Sequence, residues 1–276
     1  MRENGIDVQK IDPALRFRIV DGSIVKEPGK TGSQWRFLFS FGLPGLDCDQ
    51  FDLTPSDGAG TGEHFSRLHV KKGDHILGDR AYAITGGVTY VLKHGGQVLV
   101  RTNGVSLPMY NENGELLDIS SLLAEVKEAG IIKEWPVWIG QDKERYSGRL
   151  CVLRKSDVQI KQAQEKLRLR SIKKHNKLRP ETLEYAKFIM VFTTFSPDQF
   201  NSKDIMECYR LRWQIELAIK RLKSIIELGH IPKGDEVSCR AWLYGKLFLG
   251  LLTEKLLHIG RVFSPWGYHL QKAQAQ

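Results

Sequence analysis

The sequence predicts a mixed α/β protein in which a sheet is flanked by helices. Two observations lead to this prediction. Alternating and aromatic runs mark three strands within the first 54 residues, and the chain after them alternates between short apolar runs and helical patterns. With 276 residues, the chain is long enough for one domain with a large insertion or for two small domains.

The predicted elements follow one another in a recognisable order. Strands are predicted over residues 16–26, 34–42 and 47–54, with GLPG as the turn between the last two, and together they form an antiparallel meander. A short helix over 62–70, a strand over 75–78, a helix over 80–93 and a fifth strand over 97–101 come next. This order is that of an RNase H-like fold.

Composition narrows the class of partner and the compartment. The formal charge of +9 and the pI of 9.3 favour a polyanion such as nucleic acid, although the same charge fits a ribosomal or membrane-surface protein. The four cysteines have no CxxC spacing, so we expect neither a zinc site nor a disulfide framework. Reduced cysteines fit a cytoplasmic setting best. No apolar N-terminal segment or membrane-spanning run is present in the sequence, so no membrane partner is expected.

The stretch YRLRWQIELAIKRLK, residues 209–223, is predicted to form one amphipathic helix. At 100° per residue, Arg212, Glu216 and Lys223 fall within about 60° of Tyr209 and make a polar stripe. The apolar face is predicted to contain Leu211, Ile215, Ala218, Leu222, Ile225 and Ile226. Taken alone, the Arg212–Glu216 pair at i, i+4 is also typical of a solvated salt bridge.

Two aspartates on earlier predicted strands are candidate partners of Glu216. Asp21 lies within the first strand, although Asp-Gly is also a strong turn signal. Asp79 directly follows the strand over 75–78, and it is equally a good N-cap for the next helix. The first strand and the end of the fourth strand lie side by side in an RNase H-like sheet. We therefore expect Asp21, Asp79 and Glu216 to form a triad of carboxylates.

The spacing Tyr-x2-Arg-x3-Glu-x6-Lys resembles the signature of the IS4 group of bacterial DDE transposases. The phrases IVDGSIVKEPG with WRF, and LGDRAYA, resemble those around the two aspartates of this family. The resemblance implies that the catalytic, metal-binding residues are Asp21, Asp79 and Glu216, and that the residues holding DNA phosphates are Tyr209, Arg212 and Lys223. It implies Mg2+ as cofactor, with Mn2+ as a substitute, and transposon ends and target DNA as partners of a homodimer.

The chemistry of phosphodiester cleavage is consistent with three carboxylates. Two Mg2+ ions roughly 3.5 to 4 Å apart activate the attacking water and stabilise the leaving 3′-oxygen. We expect Asp21 to bridge both ions, with Asp79 and Glu216 binding one each. The freed 3′-hydroxyl would then attack target DNA, as in cut-and-paste transposition.

The separation of 137 residues between Asp79 and Glu216 predicts an insertion, because one strand and a connector need far fewer. The predicted insertion is β-rich and contains a helix over 120–129 and strands over 134–139 and 146–153, before a strand over 187–195 returns to the signature helix. The predicted division is a first part of the catalytic core at 1–102, an insertion domain at 103–186, a second part of the core at 187–260 and a tail at 261–276.

Some residues outside the signature allow two interpretations. Residues 154–179 contain ten Lys or Arg against two acids, which fits either phosphate contact or a solvated helix face. Trp135 and Trp138 could stack on an extruded base, but we favour packing. Trp242, near the C-terminus, is predicted to lie in the core.

Two functions from different classes remain open. The first is an active core that cuts and joins DNA, which the complete triad favours. The second is a non-catalytic regulator that binds DNA or dimerises with full-length transposase. Only 20 residues precede Asp21, so we expect the N-terminal region that recognises the terminal inverted repeat to be missing. Another RNase H-like nuclease is a third possibility, against which the Tyr, Arg and Lys around Glu216 argue.

Overall fold

The computed structural model describes residues 15–26, 34–45, 47–56, 60–140, 144–228, 231 and 235–262. The strands are β1 (Arg16–Lys26), β2 (Gln34–Leu43), β3 (Asp47–Pro55), β4 (Asp74–Gly78), β5 (Gln97–Arg101), β6 (Ile132–Ile139), β7 (Tyr146–Arg154) and β8 (Phe188–Thr193). The helices are α1 (Thr85–Lys93), α2 (Ile119–Ala124), α3 (Asp157–Lys173), α4 (Pro180–Tyr185), α5 (Ser202–Leu211), α6 (Trp213–Ile225) and α7 (Glu236–Val262). Most of the predicted tail, from residue 263 onward, lies outside these ranges.

All eight strands belong to one mixed sheet, in the order β3-β2-β1-β4-β5-β8-β7-β6. β1, β2 and β3 form the predicted antiparallel meander, and β4 pairs in parallel with both β1 and β5. The α/β fold with an RNase H-like strand order is therefore confirmed. The predicted insertion strands β6 and β7 join this sheet through β8, which pairs antiparallel with β5. The boundaries of the predicted domains stay a prediction.

Helices cover both faces of the sheet, because successive side chains of each strand point to opposite sides. On β1, Phe17 and Ile19 pack in the cluster that contains Ile215 of α6, whereas Val20 packs in the cluster that contains Val88 of α1. The alternation places Asp21 on the same face as Ile19. This is the face that α5, α6 and α7 cover.

Two predicted helices before β5 are shorter than expected. The helix predicted over 62–70 is a single 3-10 turn, Phe65–Arg67. The helix predicted over 80–93 is divided into a 3-10 turn, Arg80–Tyr82, and α1, because Ile84 between them has an extended backbone with φ −121° and ψ 131°.

The signature helix is broken at Arg212, so the prediction of one continuous helix over 209–223 is wrong. The break is mild, because Arg212 keeps a right-handed backbone with φ −51° and ψ −29°. Its N–H donates to the Tyr209 carbonyl at 3.2 Å, an i to i−3 bond that tightens the end of α5. The predicted apolar face is right, since Leu211 and Ile215 are buried. The side chain of Ile225 lies outside the described residues.

α7 is buried on one side only. Leu243 and Leu247 are at most 1% exposed, whereas Trp242 is 47% and Phe248 is 69% exposed. The prediction that Trp242 lies in the core is therefore wrong. Adjacent helical residues differ by about 100° in direction, so one member of each pair faces away from the sheet. Among the described helices, none is long and apolar enough to cross a membrane.

Candidate active site

The two candidate aspartates lie opposite each other on neighbouring parallel strands. Ile19 of β1 pairs with Leu77 of β4, and continuing this register by two residues brings Asp21 opposite Asp79. Asp21 lies inside β1 and pairs with Phe39 of β2, so the interpretation of Asp21 as a turn residue is wrong. The Asp79 carboxylate accepts a hydrogen bond from the N–H of Ala81 at 2.7 Å, which makes it the predicted N-cap as well as the neighbour of Asp21.

The surroundings of Asp21 disfavour its negative charge. The pKa of Asp21 is raised to about 6, mainly by burial and also by the negative charges of Asp79 and Glu63. The N–H of Gly22, which donates to Asp21 Oδ1 at 2.8 Å, and the guanidinium of Arg212 oppose this rise in pKa. The site is thus a half-buried cluster of negative charge.

Arg212 lies between Asp21 and Glu216. Its Nη2 donates to Glu216 Oε1 at 2.6 Å, and its Nη1 is 3.9 Å from Asp21 Oδ2. The Arg212–Glu216 salt bridge, which was the alternative interpretation of this pair, is therefore present, with the arginine side chain 18% and the glutamate side chain 39% exposed. The two aspartates are brought together, and Glu216 is linked to them through the guanidinium.

The chemistry of this site fits a hard divalent cation. Carboxylate oxygens are the donors that Mg2+ prefers, and repulsion between buried carboxylates is relieved when a cation binds. Within the part of the chain that the structure describes, no group of three His, Cys, Asp or Glu side chains is already arranged around a common ion position. The Arg212–Glu216 contact accounts for the position of the third carboxylate.

The other two signature residues, Tyr209 and Lys223, precede and follow the Arg212–Glu216 pair along the chain. The guanidinium carbon of Arg212 is 5.9 Å from the centroid of the Tyr209 ring. Burial raises the pKa of Tyr209, while the positive charges of Arg212 and Arg101 oppose that rise. Lys223 is half-buried near the end of α6, and it makes no ion pair with any described residue.

Sequence reasoning missed Glu63 as a member of the site. This residue precedes the 3-10 turn Phe65–Arg67, and its Oε1 is 2.7 Å from the position of a Cβ built on Gly22. Asp21 and Glu63 are separated by 42 positions in the chain, and no motif relates the two residues. Only the tertiary structure places this fourth carboxylate beside Asp21 and Asp79.

The described part of the chain contains a basic groove of about 1320 Å³. One acid, Glu181, lines it, together with seven cations: Arg80, Arg101, Lys155, Lys166, Arg170, Lys177 and Arg179. Burial and the positive charges of Arg101 and Arg80 together lower the pKa of Lys155 to about 8. Arg80, which follows Asp79 in the chain, is part of the groove lining, whereas Asp21, Asp79 and Glu216 are not.

The basic segment that sequence analysis singled out forms much of this groove. α3 begins with a capping box between Ser156 and Gln159, and Ile160 is its buried residue. Ile172 on the same helix is 71% exposed. α3 therefore presents most of its surface, including its cations, to the surroundings. By contrast, Trp135 packs against the core as predicted.

Comparisons with known proteins agree with this geometry. The family described as "Transposase DDE domain" matches residues 55–249. The chain is 26% identical to the putative transposase InsL for insertion sequence element IS186A of Escherichia coli K12, over 91% of this chain and 68% of the relative. The transposase for insertion sequence element IS421 of Escherichia coli matches with the same identity and coverage.

A solved structure supports the fold. The cryo-EM structure of the piggyBac transposase synaptic complex with hairpin DNA is similar with a TM-score of 0.50 at 10% identity, over 93% of this chain and 49% of the piggyBac chain. The family match covers well over half of the present chain, and the relatives of this chain are insertion-sequence transposases. This chain therefore belongs to the transposase DDE domain family, within the IS4 group.

Proposed function

We propose that this protein cleaves DNA at the ends of an insertion sequence and joins the freed ends to target DNA, in a Mg2+-dependent cut-and-paste reaction. Family membership supports DNA transposition in general. The observation that carries the more specific proposal is the placement of Asp21 opposite Asp79 on the face of the sheet covered by α6.

The residues proposed to perform the chemistry are Asp21, Asp79 and Glu216, as ligands of the divalent cation. A bound divalent cation would lower the pKa of the attacking water and stabilise the leaving 3′-oxygen. Water attacks the phosphorus, the bond to the 3′-oxygen breaks, and the products are a 3′-hydroxyl and a 5′-phosphate. In strand transfer the 3′-hydroxyl attacks a target phosphodiester in the same way.

Arg212 is proposed to change partners during this reaction. In the DNA-free protein its guanidinium donates to Glu216 and faces Asp21. A phosphate of the DNA offers the same bidentate acceptor geometry as a carboxylate. Transfer of Arg212 to a phosphate would free Glu216 to join the two aspartates. This accounts for a signature in which an arginine and a glutamate are one helical turn apart.

The basic groove is proposed to hold the DNA backbone next to the carboxylate cluster. Its cations outnumber its acids by seven to one, and none of the seven forms an ion pair among the described residues. Charges left without a counter-ion on the protein suit phosphates. Tyr209 and Lys223 are proposed as further phosphate contacts, and a homodimer that holds two DNA ends belongs to the same proposal, as does an insertion domain at 103–186.

The test is nicking of a supercoiled plasmid in Mg2+ or Mn2+. The parent protein is compared with Asp21→Asn, Asp79→Asn and Glu216→Gln, which preserve size and remove charge. Glu254→Gln is the control, because Glu254 is an exposed glutamate on α7 with no ion pair among the described residues. We expect nicking by the parent and the control, and a loss of at least 100-fold in each of the other three variants.

The outcomes separate cleavage from DNA binding. Normal nicking by any one of the three variants would show that the assignment of that residue is wrong. Absence of nicking by the parent, with salt-sensitive DNA binding retained, would favour a regulator that binds DNA without cutting it.

A further inference from the structure

Glu63 is held beside the aspartates by a fixed loop. Arg67 donates to the carbonyls of Thr61 and Gly62 at 2.6 and 3.1 Å, and it pairs with Asp52 at 2.7 Å. On the other side of Glu63, the buried Phe65 ring lies 5.0 Å from the Tyr82 ring. The backbone on both sides of Glu63 is therefore anchored, which keeps this residue beside β1.

The side chain of Glu63 lies directly against β1. Its Oε1 and Cγ are 2.7 and 2.9 Å from the position that a Cβ would take at Gly22, the residue after Asp21. A glycine at this position thus leaves the space that the Glu63 carboxylate occupies. Such close approach of an acid to the strand that carries Asp21 adds negative charge to a site that already contains two carboxylates.

The Glu63 carboxylate has no cationic partner at contact distance. Among the described residues it forms neither a hydrogen bond nor an ion pair. Burial and the negative charge of Asp79 raise the pKa of Glu63, against the weaker influence of Arg36 and Arg67. Three carboxylates, those of Asp21, Asp79 and Glu63, thus act on one another.

A buried hydroxyl beside this cluster also has no partner. Tyr82 is completely buried, and its hydroxyl has no hydrogen-bond partner among the described residues. The negative charges of Glu63, Asp21 and Asp79 all act on this hydroxyl. Buried hydroxyl groups are almost always hydrogen-bonded, so the Tyr82 hydroxyl is a donor available to a carboxylate that moves towards it.

We propose that Glu63 is a fourth carboxylate of the cation centre, which binds a hard divalent cation together with Asp21 and Asp79 in the DNA-free protein. Glu216 remains with Arg212 in that state and joins the centre when DNA is bound. Tyr82 is a positioning residue, whose hydroxyl donates to the Glu63 carboxylate once the cation has drawn the carboxylates together. The inference rests on the proposed function for the role of the two aspartates.

The test is a titration of the DNA-free protein with Mn2+, in which free Mn2+ is measured by electron paramagnetic resonance. Glu63→Gln is compared with the parent and with Glu128→Gln, an exposed glutamate with no ion pair among the described residues. We expect Glu63→Gln and Asp79→Asn each to weaken Mn2+ binding at least tenfold, and Glu128→Gln to stay within twofold. Glu216→Gln should weaken binding less than Glu63→Gln.

Two further variants separate ligand binding from folding. Glu63→Asp keeps the charge on a shorter side chain and should bind Mn2+ more tightly than Glu63→Gln. Tyr82→Phe keeps the ring packing and should weaken Mn2+ binding a few-fold. Urea unfolding in EDTA reports the stability of each variant, so a loss of affinity in a fully folded variant is assigned to the site.

Mn2+ binding tests the role of Glu63, whereas plasmid nicking tests the proposed reaction, so the two can fail separately. If Glu63→Gln binds Mn2+ within twofold of the parent, Glu63 is not a ligand, whatever the result of the plasmid assay. If the DNA-free parent binds no Mn2+ at millimolar concentration, the DNA-free centre does not exist, although cleavage that requires DNA-bound metal could still occur. Tight Mn2+ binding without any plasmid nicking would support the centre and contradict the proposed reaction.

Discussion

Arg212 donates a hydrogen bond of 2.6 Å to the carboxylate of Glu216, one turn further along the signature segment. The resemblance to the transposase signature predicts that Arg212 contacts DNA and that Glu216 binds the metal, yet here the two side chains contact each other. The two side chains neutralise each other in the structure. In the reaction proposed above, transfer of Arg212 to a DNA phosphate couples DNA binding to assembly of the carboxylates.

The first prediction is that this pair contributes little to stability. Exposed i, i+4 pairs stabilise helices by roughly 0.3 to 0.5 kcal/mol, and the Glu216 side chain is 39% exposed. A double-mutant cycle with Arg212→Ala and Glu216→Ala, measured by urea unfolding in EDTA, should give a coupling energy of this size. A coupling above about 2 kcal/mol, typical of a buried network, would show that the pair is structural.

The second prediction concerns Asp21 and pH. Its pKa rises from 3.8 to about 6 on folding, so the ionised carboxylate destabilises the folded protein above pH 6, and this cost disappears as pH falls below 4. In EDTA, Asp21→Asn should therefore be more stable than the parent by up to about 3 kcal/mol at pH 8. The difference should shrink towards zero at pH 4.

Urea unfolding of both proteins at several pH values provides the measurement for Asp21→Asn. The control is Asp198→Asn, at an exposed aspartate in the loop before α5. Equal stability of Asp21→Asn and the parent at pH 8 would contradict the raised pKa.

The third prediction is that DNA binding weakens as pH rises through 8. Lys155 has a pKa lowered to about 8 by burial and by the neighbouring Arg101 and Arg80, so it is charged at pH 7 and neutral at pH 9. When the logarithm of the binding constant is plotted against the logarithm of the salt concentration, loss of one phosphate-binding cation reduces the slope by about one unit. Fluorescence anisotropy with labelled duplex DNA at several salt concentrations measures this slope.

Lys155→Arg is the matched control for this pH effect, because arginine stays charged over the whole range. The variant should bind DNA with the same salt dependence at pH 7 and pH 9. If the salt dependence of DNA binding by the parent protein is the same at pH 7 and pH 9, Lys155 does not contact the DNA.

The fourth prediction compares two adjacent residues of α7. Leu247 is 1% exposed, so Leu247→Ala should lower the free energy of unfolding by about 2 to 4 kcal/mol. Phe248 is 69% exposed, and Phe248→Ala should change the free energy of unfolding by less than about 0.5 kcal/mol. Equal losses in both variants would show that Phe248 is covered in solution.

The fold was largely predictable from local patterns. Period-two alternation in residues 16–26 and 34–42 predicted the strands that now place Phe17 and Phe39 in the core. Helix ends were less predictable, because one residue decides them. The extended Ile84 divides a predicted helix, and Arg212 ends α5, although neither residue is a helix breaker by type.

The sequence by itself determined the individual strands, the apolar face of the signature segment and the two aspartates, because each depends on periodicity or on residues near in the chain. Only the tertiary structure decided that Glu63 lies against Gly22, that Arg212 lies between Asp21 and Glu216, and that Trp242 is exposed. The physical reason is that these relationships join segments distant in sequence, whose contacts depend on how helices and loops pack on the finished sheet.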